Sequence, residues 1–201
     1  DYKAYGTSAI RETENTTIVQ DQIAQRTGIR VEVLGNAEQR FLDYKSAASR
    51  GGSFRKIIEE KTAILDIGGG SIQLSLFDKD TLVSTQNLRL GVLRLQEYLN
   101  RFAVKGSRTE ELINEMALAR LDTYKKLYLK DKEIRNLIVI DDYLSPWAVR
   151  KREKSKGKEF LETADFERLF EVLHSKNPVQ IARAMEISEE RIPLVFISAV
   201  L

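Results

Sequence analysis

The segment Asp66-Ile67-Gly68-Gly69-Gly70-Ser71 carries, in a usable order, the residue types that phosphoryl chemistry needs. Glycines permit positive φ and let backbone N–H groups approach a ligand with no Cβ in the way. Consecutive main-chain amides form a concave nest for an oxyanion, and Ser71 adds a hydroxyl donor. Asp66, at the carboxyl end of an apolar strand, offers a hard oxygen suited to Mg²⁺ or to its water ligands. Anion donors beside a cation-binding carboxylate are the pairing that phosphoryl transfer uses. The segment is not a Walker loop: no Lys-Ser/Thr pair follows, and a strand rather than a helix comes after it. A plain Gly-rich tight turn is the competing reading of the same residues.

The flanks predict how this loop is held. Ala63-Ile64-Leu65 is a compact apolar run, and Ile72, Leu74 and Leu76 alternate with Gln73, Ser75 and Phe77. The loop Asp66–Ser71 therefore joins two strands of a hairpin, with a third strand near Leu82–Leu90. Upstream, Tyr2–Gly6 reads as a strand. A helix capped by Asn15 or Thr16 carries Ile18, Val19, Ile23 and Ala24 to its stop at Gly28. Val31 and Val33 mark a second strand. Asn36 caps a helix that carries Phe41, Leu42, Tyr44, Ala47 and Ala48 to Gly51-Gly52. Downstream, helices are expected near Val92–Phe102 and Thr109–Leu129, then a buried strand of parallel type at Leu137–Ile140. A basic loop and helices at Thr163–His174 and Pro178–Met185 follow. Meander and βα units together argue an α/β fold with two subdomains meeting near residues 38–45.

Composition narrows the chemistry. The chain has 201 residues, 42% hydrophobic and 31% charged, enough for a sizeable core. With no cysteine, disulfides, thiolate zinc sites and cysteine nucleophiles are excluded. The single histidine, His174, leaves no His-based metal cluster and argues against a Ser-His-Asp triad. The missing cysteines fit a reducing, cytoplasmic setting. No apolar run is long enough to span a membrane, and no signal-peptide pattern is present. A net charge of +2 gives no reason to expect nucleic-acid binding. Residues 150–158 gather Arg150, Lys151, Arg152, Lys154, Lys156 and Lys158 against Glu153 alone. That run reads as a solvated loop or helix face, or as an anion-attracting surface.

Asp66–Ser71, with Gly91-Val92 after the third strand, resembles the second phosphate motif of the exopolyphosphatase / guanosine pentaphosphatase (Ppx/GppA) family. Three further stretches agree in order and spacing. Gly6-Thr7-Ser8-Ala9-Ile10-Arg11 resembles the family's Thr-rich strand end with its phosphate-contacting arginine. Val33-Leu34-Gly35-Asn36-Ala37-Glu38-Gln39-Arg40 resembles the segment with the catalytic glutamate. Ser188-Glu189-Glu190-Arg191 resembles a late Ser-x-Glu-Arg segment. The resemblance spans almost the whole chain. It implies an actin/hexokinase/Hsp70-like (ribonuclease H-like) fold, present in part, with a mixed sheet and flanking helices. Residues 1–43 would end the first actin-like subdomain, and 44–201 would form the second.

The resemblance also implies roles. Glu38 is the candidate general base for an attacking water; without the resemblance, a first-turn glutamate complements the helix dipole. Arg11, Gly68, Gly69, Gly70 and Ser71 bind the substrate phosphate, and Asp66 and Gln73 hold Mg²⁺ or Mn²⁺. Gln73 stands where the family usually has a glutamate: the length is kept and a charge is lost. After the Val139-Ile140 strand, Asp141-Asp142-Tyr143 replaces a Gly-Ser/Thr-Gly-Thr segment, and two acids repel phosphate unless a cation intervenes. The family's first phosphate motif, Asp-x-Gly-Ser-Asn-Ser, is missing. The chain lacks an initial Met and ends in the apolar run Ile197–Leu201, so a fragment with little activity by itself is expected.

The implied activity is removal of terminal phosphate from inorganic polyphosphate or guanosine pentaphosphate, with the basic residues near 150–158 and Lys125, Lys126, Lys130 and Lys132 steering a polyanion. Two alternatives stay open: a non-catalytic polyphosphate- or alarmone-binding protein, and a sugar or acid kinase of the same superfamily. The family often forms homodimers. Neither a nucleic-acid nor a membrane partner is expected.

Overall fold

In the computed structural model, which describes residues 2–49, 53–104, 106–130, 133–154 and 161–201, the chain opens with a short parallel pair. β1 (Ala4–Gly6) and β2 (Val31–Val33) align Ala4 with Val31 and Gly6 with Val33. The crossover carries α1 (Ser8–Arg11) and α2 (Thr16–Thr27), which stops at Gly28 in the left-handed conformation, φ 73°. The amphipathic face expected of α2 is thin: Ile18 is exposed, and no residue of the helix is fully buried. Gln20 ties the helix to β2 by donating to Val31 O at 2.8 Å.

α3 (Asn36–Ser49) and α4 (Ser53–Glu59) follow. α4 is not foreseen by the sequence reading. It buries Ile58 and packs on the sheet that comes next. That sheet contains β3 (Thr62–Ile67), β4 (Ile72–Asp78), β5 (Thr81–Leu88) and β6 (Asn136–Asp141), in the order β5-β4-β3-β6. The β3–β4–β5 meander is antiparallel and pairs Asp66 with Gln73, Gln73 with Asn87, and Ser75 with Thr85. Asp66 and Ile67 thus belong to β3, and the glycine loop is shorter than expected, Gly68–Ser71. The two-residue turn between β4 and β5 is Lys79-Asp80, with φ of 51° and 59°. Right-twisted strands favour this mirror-image turn, although Asn-Gly is its usual sequence. The apolar run of β6 differs from expectation. Leu137 and Val139 are exposed while alternate positions are half-buried, so the strand is covered on one face only.

Two compact units result: Asp1–Arg89 with Asp131–Val139, and Leu90–Lys130 with Ile140–Leu201. The second unit is built on helices. α5 (Val92–Arg101) precedes α6 (Ser107–Tyr124), which runs into a π-helical stretch at Lys125–Leu129. α7 (Ser145–Lys154), α8 (Thr163–Ser175) and α9 (Pro178–Met185) lead through a 3₁₀ turn at Glu189–Arg191 to α10 (Ile192–Val200). The apolar α10 packs against α5, α6 and α9. Its Val195 joins Leu144, Leu169, Leu173, Ile181 and Met185 in one buried cluster. Asn177 starts α9 with a reciprocal cap: its Oδ1 accepts from the Gln180 N–H at 2.9 Å, and its own N–H donates to Gln180 Oε1.

The expected basic loop begins instead as helix α7. Arg150 pairs with Glu186 at 2.9 Å and Lys151 with Asp165 at 3.0 Å, so both cations are matched within their own unit. Lys156, Lys158, Lys132 and the expected helix end at Gly51-Gly52 lie outside the described residues. Among the described residues, no helix is long and apolar enough to cross a membrane.

Candidate functional site

The glycine loop is held by its own backbone. The Gly68 N–H donates to Ser71 O at 3.0 Å, which closes the loop over Gly69 and Gly70. Left-handed φ is not what the glycines supply here. The positive-φ glycines among the described residues are Gly28 and Gly106. Gly68 supplies space: a Cβ there would stand 3.1 Å from Ser71 O, tighter than an ordinary contact. Ser71 Oγ accepts from Asn87 Nδ2 at 3.2 Å, so β5 fixes the hydroxyl that the loop offers.

Beside the loop, α3 lies over the sheet with a polar stripe inward. Arg40, Asp43 and Tyr44 share one face, as residues three and four apart must. Tyr44 Oη donates to Ser75 Oγ at 2.6 Å, Ser75 Oγ lies 3.0 Å from Thr85 Oγ1, and Arg40 Nη1 donates to Thr85 Oγ1 at 2.9 Å. This chain leaves the helix, crosses two strands and returns. Tyr44 also meets the Phe77 ring edge-on at 5.3 Å. The apolar residues Phe41 and Leu42 of the same helix are exposed.

Asp43 reaches the end of β3, where its side chain is hydrogen-bonded to Asp66. Burial pushes the Asp43 carboxyl above its ordinary value, and the Asp66 hydrogen bond opposes that shift. Gln73, opposite Asp66, is 4% exposed. Its Oε1 and Asp43 Oδ2 are buried without a hydrogen-bond partner. Among the described residues no group of three His, Cys, Asp or Glu side chains is gathered for a metal. The oxygens here come from two carboxylates and one amide.

Arg11 and Glu38 meet at the turn before α3. Arg11 Nη1 donates to Leu34 O at 2.7 Å and approaches Gln39 Oε1 at 3.5 Å. Glu38 Oε2 accepts from the Gly35 N–H at 2.8 Å, so Gly35 rather than Asn36 precedes the helix and Glu38 closes its first turn. Glu12, next to Arg11, pairs at 3.1 Å with Arg89, which follows Leu88, the register partner of Ile72. Arg11 is thereby tied to the glycine-loop end of the sheet. A hollow of about 390 Å³ opens beside Glu38, lined by Tyr5, Glu32, Leu34, Ala37, Phe41 and Leu42. Its lining holds acids and apolar groups and no base, so it does not suit a polyanion.

The structure thus brings Asp66, Gln73 and Ser71 to the glycine-loop end of the sheet and places Glu38 in, and Arg11 beside, the first turn of α3, whose Asp43 reaches Asp66. Arg40, Asp43, Tyr44 and Asn87 are the neighbours that the sequence reading missed. The signal available was polar residues at helical spacing on α3, matched by Gln73, Ser75, Thr85 and Asn87 on strands.

In the other unit, Asp141 is not presented to a ligand. It is 6% exposed; its carboxylate accepts from the Tyr143 and Leu144 N–H groups and from the Ser198 hydroxyl. Burial raises its pKa above the ordinary aspartate value, and those donors oppose the rise. The first of the two acids that replace the Gly-Ser/Thr-Gly-Thr segment is therefore a structural cap of the turn into α7.

The family model of the Ppx/GppA phosphatase family matches residues 3–201. The chain belongs to that family. Solved Ppx/GppA structures share its fold. An exopolyphosphatase from Cytophaga hutchinsonii is 21% identical, with a TM-score of 0.72 over 98% of this chain and 64% of that one. The Aquifex aeolicus Ppx/GppA family member is 15% identical, with a TM-score of 0.69 over 98% and 63%. An exopolyphosphatase-like protein is 21% identical, with a TM-score of 0.67 over 98% and 63%. This chain therefore spans a little under two thirds of their lengths. No curated protein matches it. The Ppx/GppA architecture is the actin/hexokinase/Hsp70-like α/β fold, here with parallel and antiparallel pairing and flanking helices.

Proposed function

We propose that the protein hydrolyses terminal phosphoanhydride bonds of inorganic polyphosphate, guanosine pentaphosphate or both, with Glu38 as general base. The observation that carries this reading is the closed loop Gly68–Ser71 beside Asp66, in a chain of a phosphatase family. Gly68 would close the loop through its own N–H, Gly69, Gly70 and Ser71 would present main-chain amides and a hydroxyl to the terminal phosphate, and Arg11 a guanidinium. The Gly35 N–H orients Glu38 through Oε2. Its Oε1, with no hydrogen bond among the described residues, takes the proton of the attacking water. Such help is worth about 10²–10⁴-fold in rate.

The residues present fit a divalent cation. Two buried acceptor oxygens without donors sit by the Asp66 carboxylate, and all the donor atoms are hard oxygens. Asp66 and Gln73 would hold Mg²⁺ or Mn²⁺, which neutralises charge on the phosphoryl oxygens when bound.

A non-catalytic polyphosphate- or alarmone-binding role is the second reading. It is favoured by the Glu38–Gly35 bond, which uses the carboxylate as a helix cap, and by the neutral Gln73. Orthophosphate release from long-chain polyphosphate and from guanosine pentaphosphate, with and without Mg²⁺, separates the two. Mg²⁺-dependent release supports hydrolysis; tight binding without release in the intact protein supports the binder.

A further inference from the structure

Asp43 Oδ2 and Gln73 Oε1 are buried acceptors that no donor reaches. Gln73 stands opposite Asp66 in the β3–β4 register, so both side chains leave the sheet on the same face. Two residues on, Ser75 leaves that face too and meets Tyr44 of α3 at 2.6 Å. Asp43, adjacent to Tyr44, is hydrogen-bonded to the Asp66 side chain. Two carboxyl groups and an amide oxygen therefore share one enclosed place beneath the middle of α3. Nearby donors are directed elsewhere: Arg40 Nη1 to Thr85 at 2.9 Å and Asn87 Nδ2 to Ser71 at 3.2 Å. A hydrogen bond between the two carboxyls requires a proton on one of them; a cation that replaces this shared proton also satisfies Gln73 Oε1, which only accepts.

We propose that Asp43 is a cation ligand: with Asp66 and Gln73 Oε1 it completes an oxygen-only site for one divalent ion of the Mg²⁺/Mn²⁺ class. Asp43 supplies the second negative charge, so that the protein part of the site balances a dication; water fills the remaining positions. This rests on reading Asp66 and Gln73 as the metal side of the phosphohydrolase site, and it adds a ligand from a different element, α3.

Mn²⁺ is titrated calorimetrically into the intact protein with no phosphate present. A single saturable site is expected, with affinity lowered roughly tenfold or more in Asp43→Asn and raised in Gln73→Glu. Asn keeps the shape of Asp and removes the charge, so the variant retains the fold. Thermal unfolding checks this: the wild type gains Tm with Mn²⁺, while Asp43→Asn unfolds at or above the metal-free wild-type Tm and gains little from Mn²⁺. Unchanged Mn²⁺ affinity in Asp43→Asn, or no saturable site in the wild type, overturns the proposal. Phosphate release is read separately. Asp43-dependent Mn²⁺ binding without release sinks the hydrolase reading and keeps the cation site; release with Mn²⁺ affinity indifferent to residue 43 does the reverse.

Discussion

His174 Nε2 lies 2.7 Å from Glu110 Oε2, joining α8 to α6, while Nδ1 stands 2.8 Å from Phe170 O. Both ring nitrogens face acceptors, which suits the doubly protonated ring. The Phe170 and Phe196 rings lie 4.4 and 5.4 Å away. The Phe170 carbonyl, then Glu110, raise the His174 pKa above its usual 6.5. A raised histidine pKa adds stability that is complete below 6.5 and is lost as pH climbs through the folded value. Urea denaturation between about pH 6 and pH 8 should therefore show stability falling as pH rises. His174→Gln should flatten that slope. The ring is partly exposed, so the effect is modest; an equal slope in both proteins contradicts the assignment.

Glu38→Gln separates proton acceptance from folding. A glutamine at the same place can still accept from the Gly35 N–H, because Glu and Gln serve equally in that capping position. Turnover of polyphosphate by the intact protein should drop about 10²–10⁴-fold. Polyphosphate affinity and Tm should stay near wild type. Turnover that survives the change assigns the proton transfer to another group.

Gly68→Ala places a methyl 3.1 Å from Ser71 O, an atom of the backbone that cannot swing away. The loop must open. A stability loss of about 1 kcal/mol is expected from urea titration. Polyphosphate affinity should weaken as well, since the same backbone is the proposed anion cradle. Wild-type affinity in this variant would place phosphate binding elsewhere.

Ser198→Ala removes the hydroxyl that donates to Asp141 Oδ2 inside the helical unit. A buried carboxylate deprived of a donor costs about 1–3 kcal/mol. The Asp141 pKa is raised by burial, so folding already favours its protonated form, and the stability this adds is lost as pH rises above 3.8 through the folded value. The mutational loss should be larger at neutral pH than near pH 4, where the protonated acid needs less help. Guanidinium titrations at both pH values check the sign.

The hairpin, its order of strands and most helices are legible because their periodicities are local. Val31 and Val33, and Ile72 through Leu76, each announce their element within a few residues. α3 is legible as a helix but not in its orientation. Phe41 and Leu42 point to one face as the core face, and the helix turns Arg40, Asp43 and Tyr44 inward instead. Hydrophobic patterning ranks faces by transfer free energy; it has no term for a polar face that finds Ser75 and Thr85 waiting on a sheet. Asp66 is found from its glycine neighbours. Asp43 is invisible at that level, because its meaning lies in a contact made 23 positions away, counting from residue 43 to residue 66. Leu137 and Val139 mislead in the opposite sense: a strand rich in β-formers looks buried, while alternate side chains are exposed.

α3 is a single rod bearing Glu38 near its beginning and Asp43 five residues on. At 1.5 Å per residue their Cα atoms sit roughly 7.5 Å apart along the axis, turned about 140° from one another. A helix bends and tilts but hardly stretches, so the pair is ganged. If Asp43 holds the proposed cation, loading the middle of the rod would also shift Glu38 at its start, and charge neutralisation and water alignment would then rise or fall in step.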